Sequence, residues 1–318
     1  MSARAKALVI LVSGAIGFIL GGAWERAGWR EESLHAAPAR SPSRAPPEDG
    51  KLRIIAFGAH PDDCELKAGG VAAKWARLGH HVKFVSTTNG DIGHHEISGG
   101  PLARRRKAEV EACAKILGIE TQVLDIHDGE ILPTLETRRE IVRLIREWKA
   151  DVVLGPRPND YHPDHRYTGI LLQDAAFMVI VPNFCPDVPA LRSNPVFLYY
   201  SDSFEKPNPF DPHVVVDLDE VMPKKFDAIA ALESQFCEWN PWLFGYLDDV
   251  PRDAAGRRRY IEESFGKRFK PLADTYREKL VERYGEEKGR KTVYVEAFEV
   301  CEYGSKPSPE RLRELFPF

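Results

Sequence analysis

Leu52–Glu65 reads LRIIAFGAHPDDCE, and Val152–His165 reads VVLGPRPNDYHPDH. Each is a short apolar run that reaches a glycine and then opens into a loop carrying His-Pro-Asp. Apolar runs of about four to eight residues bounded by turn residues have the length of buried strands. Between the two stretches, strand-like and helix-like segments alternate. Gly70–Leu78 is predicted helical and is closed by Gly79; Val82–Thr88 is a second strand. Leu102–Leu117 is a helix stopped by Gly118, and Val123–Ile126 a short third strand. In Thr137–Trp148, residues Ile141, Leu144, Ile145 and Trp148 recur at the i, i+3, i+4, i+7 spacing of one helix face. Val152–Gly155 is the fourth strand, with a helix over Tyr167–Val179 after it.

Strands alternating with helices imply an α/β fold: a Rossmann-like, doubly wound, mostly parallel sheet with helices on both faces. The usual order is 3-2-1-4 and onward, with the chain reversing direction across the sheet between strands 1 and 4. The carboxyl ends of those strands border a ligand crevice. The two His-Pro-Asp loops therefore come together there. Beyond residue 180 the reading is coarser: strands at Val196–Tyr200 and Val214–Asp217, helices at Lys224–Phe236 and Gly266–Tyr284, and an aromatic loop over Pro241–Tyr246. This part reads as a C-terminal extension around the crevice.

Several chemistries are excluded at that crevice. A dinucleotide site needs glycines in the first strand-to-helix turn, where this chain has Asp62, Asp63 and Glu65. Neither a GxSxG elbow nor a Walker A sequence occurs. An acidic first loop suits a cation, and imidazoles with carboxylates suit zinc or a similar divalent ion. A catalytic zinc keeps about three protein ligands and an open position, and the two loops hold enough groups for that and for acid–base work.

His60-Pro61-Asp62-Asp63 after Ala59, followed by His162-Pro163-Asp164-His165, resembles the zinc-dependent LmbE-like or PIG-L family of N-deacetylases. Thr88-Asn89-Gly90, Arg106 to Glu109, Lys225 with Ser234-Gln235, and Tyr294 with Glu296-Ala297-Phe298 extend the likeness over roughly residues 52–300. Cys64 and Glu65 form a DDxE variant of its first motif, and Glu233 stands where many members have His. The resemblance implies zinc, a single divalent ion, held by His60, Asp63 and His165. It implies Asp62 as general base, His162 as general acid or oxyanion stabiliser, and Asp164 as the group orienting His162. The implied reaction removes an acetyl group from an N-acetylated amino sugar or glycoconjugate. Two rivals stand beside it: a zinc amidase acting on a non-sugar N-acyl compound, and a non-catalytic binding protein of the same fold.

Arg106 is a candidate for substrate contact from the family pattern. His94 and Asp128 are candidates because their loops, after strands 2 and 3, open at the same edge of the sheet. The basic run Arg104–Lys107 otherwise reads as a solvated face, and Cys64, beside two carboxylates, as a buried filler.

Composition bounds the rest. Hydrophobic residues make up 43% and charged residues 29% of 318, which fits a globular chain and excludes a disordered one. A net charge of −4 points away from nucleic acid. Five cysteines without a CxxC pair form neither a disulfide framework nor a zinc finger. Residues 1–32 read as an N-terminal membrane anchor or uncleaved signal. Arg4 and Lys6 precede an uncharged run, Ala7–Trp24, that at roughly 18 residues is near the lower limit for spanning a bilayer. The charge order places the rest of the chain outside the cytoplasm, tethered, or secreted if the segment is cleaved. Residues 33–50, rich in Pro, Ala and Ser, read as a linker, and 51–318 as the deacetylase-like domain. Oligomeric state is not legible.

Overall fold

β1 (Arg53–Gly58) sits in mid-sheet because both of its faces are apolar. Ile54 and Ala56 point into one hydrophobic core, Ile55 and Phe57 into another on the opposite face. The computed structural model describes residues 49–318; the expected anchor, 1–32, and all but the end of the expected linker, 33–50, lie outside them. In chain order the elements are β1, α1 (Asp63–Arg77), β2 (His81–Ser86), α2 (Gly99–Leu117), β3 (Glu120–Val123), α3 (Leu135–Glu147), β4 (Val152–Gly155) and α4 (Pro163–Met178). They are followed by β5 (Val196–Tyr200), β6 (Val214–Asp217), α5 (Met222–Ala230), a π-helical turn (Ser234–Trp239) and α6 (Asn240–Leu243). α7 (Ala254–Thr275), α8 (Arg277–Tyr284), α9 (Glu286–Lys291), β7 (Val295–Gly304) and α10 (Pro309–Leu315) complete the chain.

The seven strands form one sheet in the order β3-β2-β1-β4-β5-β7-β6. β1 pairs in parallel with β2 and with β4, so the loops after β1 and β4 leave the same edge side by side. β7 runs antiparallel between β5 and β6 and closes the mostly parallel sheet. α1 packs on one face through Ala68, Val71, Ala72 and Trp75; α4 packs on the other through Leu171, Leu172, Ala175 and Ala176.

Several boundaries differ from the sequence reading. β3 lies at Glu120–Val123 rather than Val123–Ile126, because this edge strand follows the register of Lys83–Ser86 and its residues are only partly buried. α1 begins at Asp63, not near Gly70: the acidic residues of the first loop form the helix's opening turn, where carboxylates meet the positive end of the helix dipole. The single helix expected over Lys224–Phe236 is α5 followed by the π-helical turn. The helix expected over Gly266–Tyr284 is α7 and α8, and α7 carries Pro271 within it.

Lys225 and Glu296, two of the motif residues, lie behind the site and not in it. The Lys225 ammonium is 2.7 Å from Glu296 and donates to the Leu66 carbonyl at 2.7 Å. Glu296 accepts from the amides of Gly70 and Val71, both at 2.8 Å. The buried pair thus clasps the middle of α1. All five cysteines are free and buried. Among the described residues no helix is long and apolar enough to cross a membrane.

Candidate active site

The loop after β1 turns sharply, with the His60 carbonyl accepting from the Asp62 amide at 2.8 Å. Asp63 then folds back, and its carboxylate accepts from the amides of Ala59 and His60 at 2.8 and 2.9 Å. Gly58 permits this return: a Cβ there would stand 2.6 Å from that of Asp63. The loop after β4 ends at His162, the N-cap of α4, with Pro163 in the first turn as its fixed φ favours.

These two loops bring three ligand atoms together. His60 Nδ1 and His165 Nε2 are 3.2 Å apart; one Asp63 oxygen is 3.6 Å from the first and 3.4 Å from the second. Donors about 2.1 Å from a tetrahedral zinc stand about 3.4 Å from one another. The triangle therefore fits a zinc-sized ion, and two imidazoles with one carboxylate suit that metal.

Carboxylates stand behind both imidazoles. His60 Nε2 is 3.0 Å from Asp128 and 3.3 Å from Asp164. His165 Nδ1 is 3.1 Å from Asp160. A carboxylate holding the far N–H of an imidazole presents the other nitrogen's lone pair to a metal. Among the described residues His60 also belongs to two other clusters of metal-ligating type, one with His162 and His165 and one with Asp128 and Asp164. The carboxylates of the latter face the nitrogen of His60 that points away from His165, and we assign them to orienting that ring. Burial alone would depress His60, but these carboxylates and Asp63 raise its pKa well above the usual value in the metal-free site.

Asp62 and His162 flank the triangle. Asp62 accepts from Arg106 at 3.0 Å. Burial raises the Asp62 pKa, and the Arg106 charge opposes that rise. His162 Nδ1 accepts from the Asp164 amide at 3.2 Å, which leaves its ring proton on Nε2. Burial, and then the charges of His60 and His165, lower its pKa.

The other candidates fall elsewhere. The Asp164 carboxylate orients His60 and accepts from the Gly129 amide at 2.6 Å; it is the Asp164 backbone that orients His162. Arg106 is buried, donating to Gly90 O and Pro61 O as well as to Asp62, so it borders the cleft as a support for Asp62. Gly90, at φ +69°, gives it room, because a Cβ there would collide with the guanidinium. Asp128 lies behind His60 as described. His94 has both nitrogens committed, Nε2 to Glu238 at 2.9 Å and Nδ1 to the amides of Glu96 and Ile97. Glu65 is buried, and burial pushes its carboxyl up to about 8.

Above the triangle opens a cleft of about 630 Å³. Its far wall comes from the C-terminal extension, including Gln235, Trp239, Phe244, Tyr246 and Arg268. Gln235 donates to Gly93 O at 3.0 Å and so joins the π-helical turn to the loop after β2. Sequence reasoning missed Asp160, Gln235 and Lys67 on the cleft wall. Asp160 had a local signal, lying in the same loop as His162 and His165, and Gln235 was matched in the Ser234-Gln235 motif without being given a role.

Residues 55–176 match the PIG-L family, described as GlcNAc-PI de-N-acetylase. The diacetylchitobiose deacetylase of Thermococcus kodakarensis is 36% identical over 207 residues, covering 60% of this chain and 74% of that protein. The chain belongs to the PIG-L family. The N,N'-diacetylchitobiose deacetylase of Pyrococcus horikoshii, solved with an inhibitor, superposes on this PIG-L protein with a TM-score of 0.60 at 26% identity, covering 78% of this chain and 83% of that one. The fold is also shared with GalB, the 4-carboxy-2-hydroxymuconate hydratase of Pseudomonas putida, at a TM-score of 0.61 and 19% identity over 81% and 99% of the two chains. PIG-L-like architecture thus carries more than one reaction, and function has to be argued from the site.

Proposed function

We propose that this protein is a zinc-dependent N-deacetylase acting on an N-acetylated amino sugar or glycoconjugate. The observation that carries the reading is the His60–Asp63–His165 triangle with Asp62 and His162 beside it. The likeness to diacetylchitobiose deacetylase supports the sugar substrate.

Bound by His60, Asp63 and His165, zinc would lower the pKa of a water molecule and polarise the acetamide carbonyl. Asp62 takes the proton of the attacking water as the new C–O bond forms, and Arg106 holds its carboxylate in place. His162 offers its Nε2 proton as a hydrogen bond to the carbonyl oxygen as charge grows there. Its position at a helix N-terminus disfavours an imidazolium, which suits a neutral donor. The leaving nitrogen receives its proton from Asp62 as the C–N bond breaks, giving acetate and the free amine.

The test is acetate release from N-acetylglucosamine and diacetylchitobiose set against N-acetyl amino acids, before and after chelation and with zinc restored. The reading requires release from the sugars, loss on chelation and recovery with zinc. Release only from the amino acids, or full turnover by protein shown to be metal-free, would overturn it.

We further propose that the domain 51–318 works outside the cytoplasm, tethered through the apolar run 7–24 and the Pro-rich linker. Protease added to intact spheroplasts should digest it, and complete protection would refute that placement.

A further inference from the structure

We infer that the cleft binds a glycan chain of at least three sugar units, with the reacting sugar at the His60–Asp63–His165 triangle and the following units on Trp239, Phe244 and Tyr246. This rests on the deacetylase reading above and specifies its substrate. Three observations carry it.

The first is size. A cleft of about 630 Å³ lies within the roughly 300–1,000 Å³ of sites that enclose drug-sized ligands, the size of a short oligosaccharide, so a single sugar unit leaves much of it unfilled.

The second is the chemistry of the far wall. Phe244 and Tyr246 have near-parallel rings, 7° apart in plane with centroids 6.4 Å apart, and they remain 68% and 37% exposed. Gln235, Asn240 and Ser264 lie on the same wall as these rings. A sugar ring has the matching character, with apolar C–H faces and hydroxyls at its edge. An acyl chain would call instead for an unbroken apolar channel.

The third is that the wall is built to stay in place. His94, His95, Trp242 and Trp239 form one continuous stack, with successive centroid distances of 4.6, 5.0 and 5.4 Å and interplanar angles of 19°, 9° and 18°. Its His94 end is anchored by Glu238, which Arg105 grips through two bonds of 2.6 Å. The stack ties the aromatic segment to the loop after β2, across the top of the site. Phe244 and Tyr246 follow Trp242 closely in the chain, and their amides donate to the carbonyls of Asn240 and Pro241 at 3.0 and 2.9 Å. Surface held in its binding shape loses little entropy when a ligand docks, so these two rings are suited to act as a platform. This also accounts for His94 and His95 in the loop after β2: they hold the platform and do not touch substrate.

The experiment measures acetate release from N-acetylglucosamine and its β-1,4-linked dimer, trimer and pentamer, using the metal-loaded protein. kcat/KM should rise at least about tenfold from dimer to trimer or pentamer, the loss or gain typical of a single well-packed anchor. In Phe244→Ala and Tyr246→Ala the pentamer-to-dimer ratio of kcat/KM should fall at least about fivefold, through KM more than kcat. Thermal melts establish that each variant is folded. Equal kcat/KM for dimer and pentamer in the parent protein would overturn the inference while leaving the deacetylase reading intact. A ratio unmoved in both folded variants would overturn it as well. Acetate release from none of these sugars would instead refute the underlying deacetylase reading.

Discussion

Replacing Asp160, Asp128 and Asp164 by asparagine separates the residues that hold the metal from those that aim its ligands. If His60, Asp63 and His165 bind the ion, these three carboxylates act from behind, and removing such a group typically weakens metal binding about 10–100-fold, or roughly 1.4–2.7 kcal/mol. The structure grades the losses. His165 has one carboxylate behind it, Asp160 at 3.1 Å, so Asp160→Asn should show the full effect. His60 has two, at 3.0 and 3.3 Å, and Asp164 can hold the ring when Asp128 is lost. Asp128→Asn should therefore cost less than about tenfold, and the double change with Asp164→Asn more than the product of the single effects. Asp63→Ala should abolish tight binding. Zinc affinity measured by competition with a chromophoric chelator reads all of this without reference to turnover. The reasoning fails if Asp128→Asn abolishes binding while Asp63→Ala keeps it, because the ion would then sit on the His60–Asp128–Asp164 side.

Asp62→Asn should keep its zinc and its fold while kcat falls at least about a hundredfold, as metal analysis and turnover on one sample will show. Lys225→Met leaves Glu296 buried without its cation. It should cost about 3–5 kcal/mol of unfolding free energy in denaturant titration, and a loss below about 1 kcal/mol would mean that the clasp on α1 is weak. At Glu238 burial alone would raise the pKa, but Arg105 and His94 hold the carboxyl down to about 2. A depressed pKa stabilises the fold above the unfolded value, near 4.5, and that contribution fades as pH falls towards about 2. Because the carboxyl is partly exposed and solvent screens the pair, Glu238→Gln should lose less than the full shift implies, about 2 kcal/mol at neutral pH, with the gap between the two melting curves closing below about pH 4.

The two His-Pro-Asp loops were legible because their chemistry is contiguous in the chain and the βα alternation places both loops at one edge. The roles of Asp128 and Asp164 were not, because they depend on which nitrogen of His60 faces the metal site. Sequence spacing carries no information on ring orientation. Lys225 and Glu296 could be matched as motif residues, but only the packing of α1 against β7 shows that they serve the fold. The π-helical turn was invisible for a different reason. Its Ser234 hydroxyl and amide are held by Glu109 of α2, a contact across the fold that overrides the local preference for a continued α-helix. β3 was misplaced because an edge strand takes its register from its neighbour.

α1 and α4, which deliver Asp63 and His165, belong to different hydrophobic cores on opposite sides of the sheet. An ion at the triangle is consequently a rivet through the seam between two independently packed layers. Occupancy would couple their opening, so that neither layer frays without breaking the rivet, and would stabilise the whole by mass action. Amide exchange in the first turns of both helices should slow together when zinc is added. Protection confined to one helix would show that the two layers open separately.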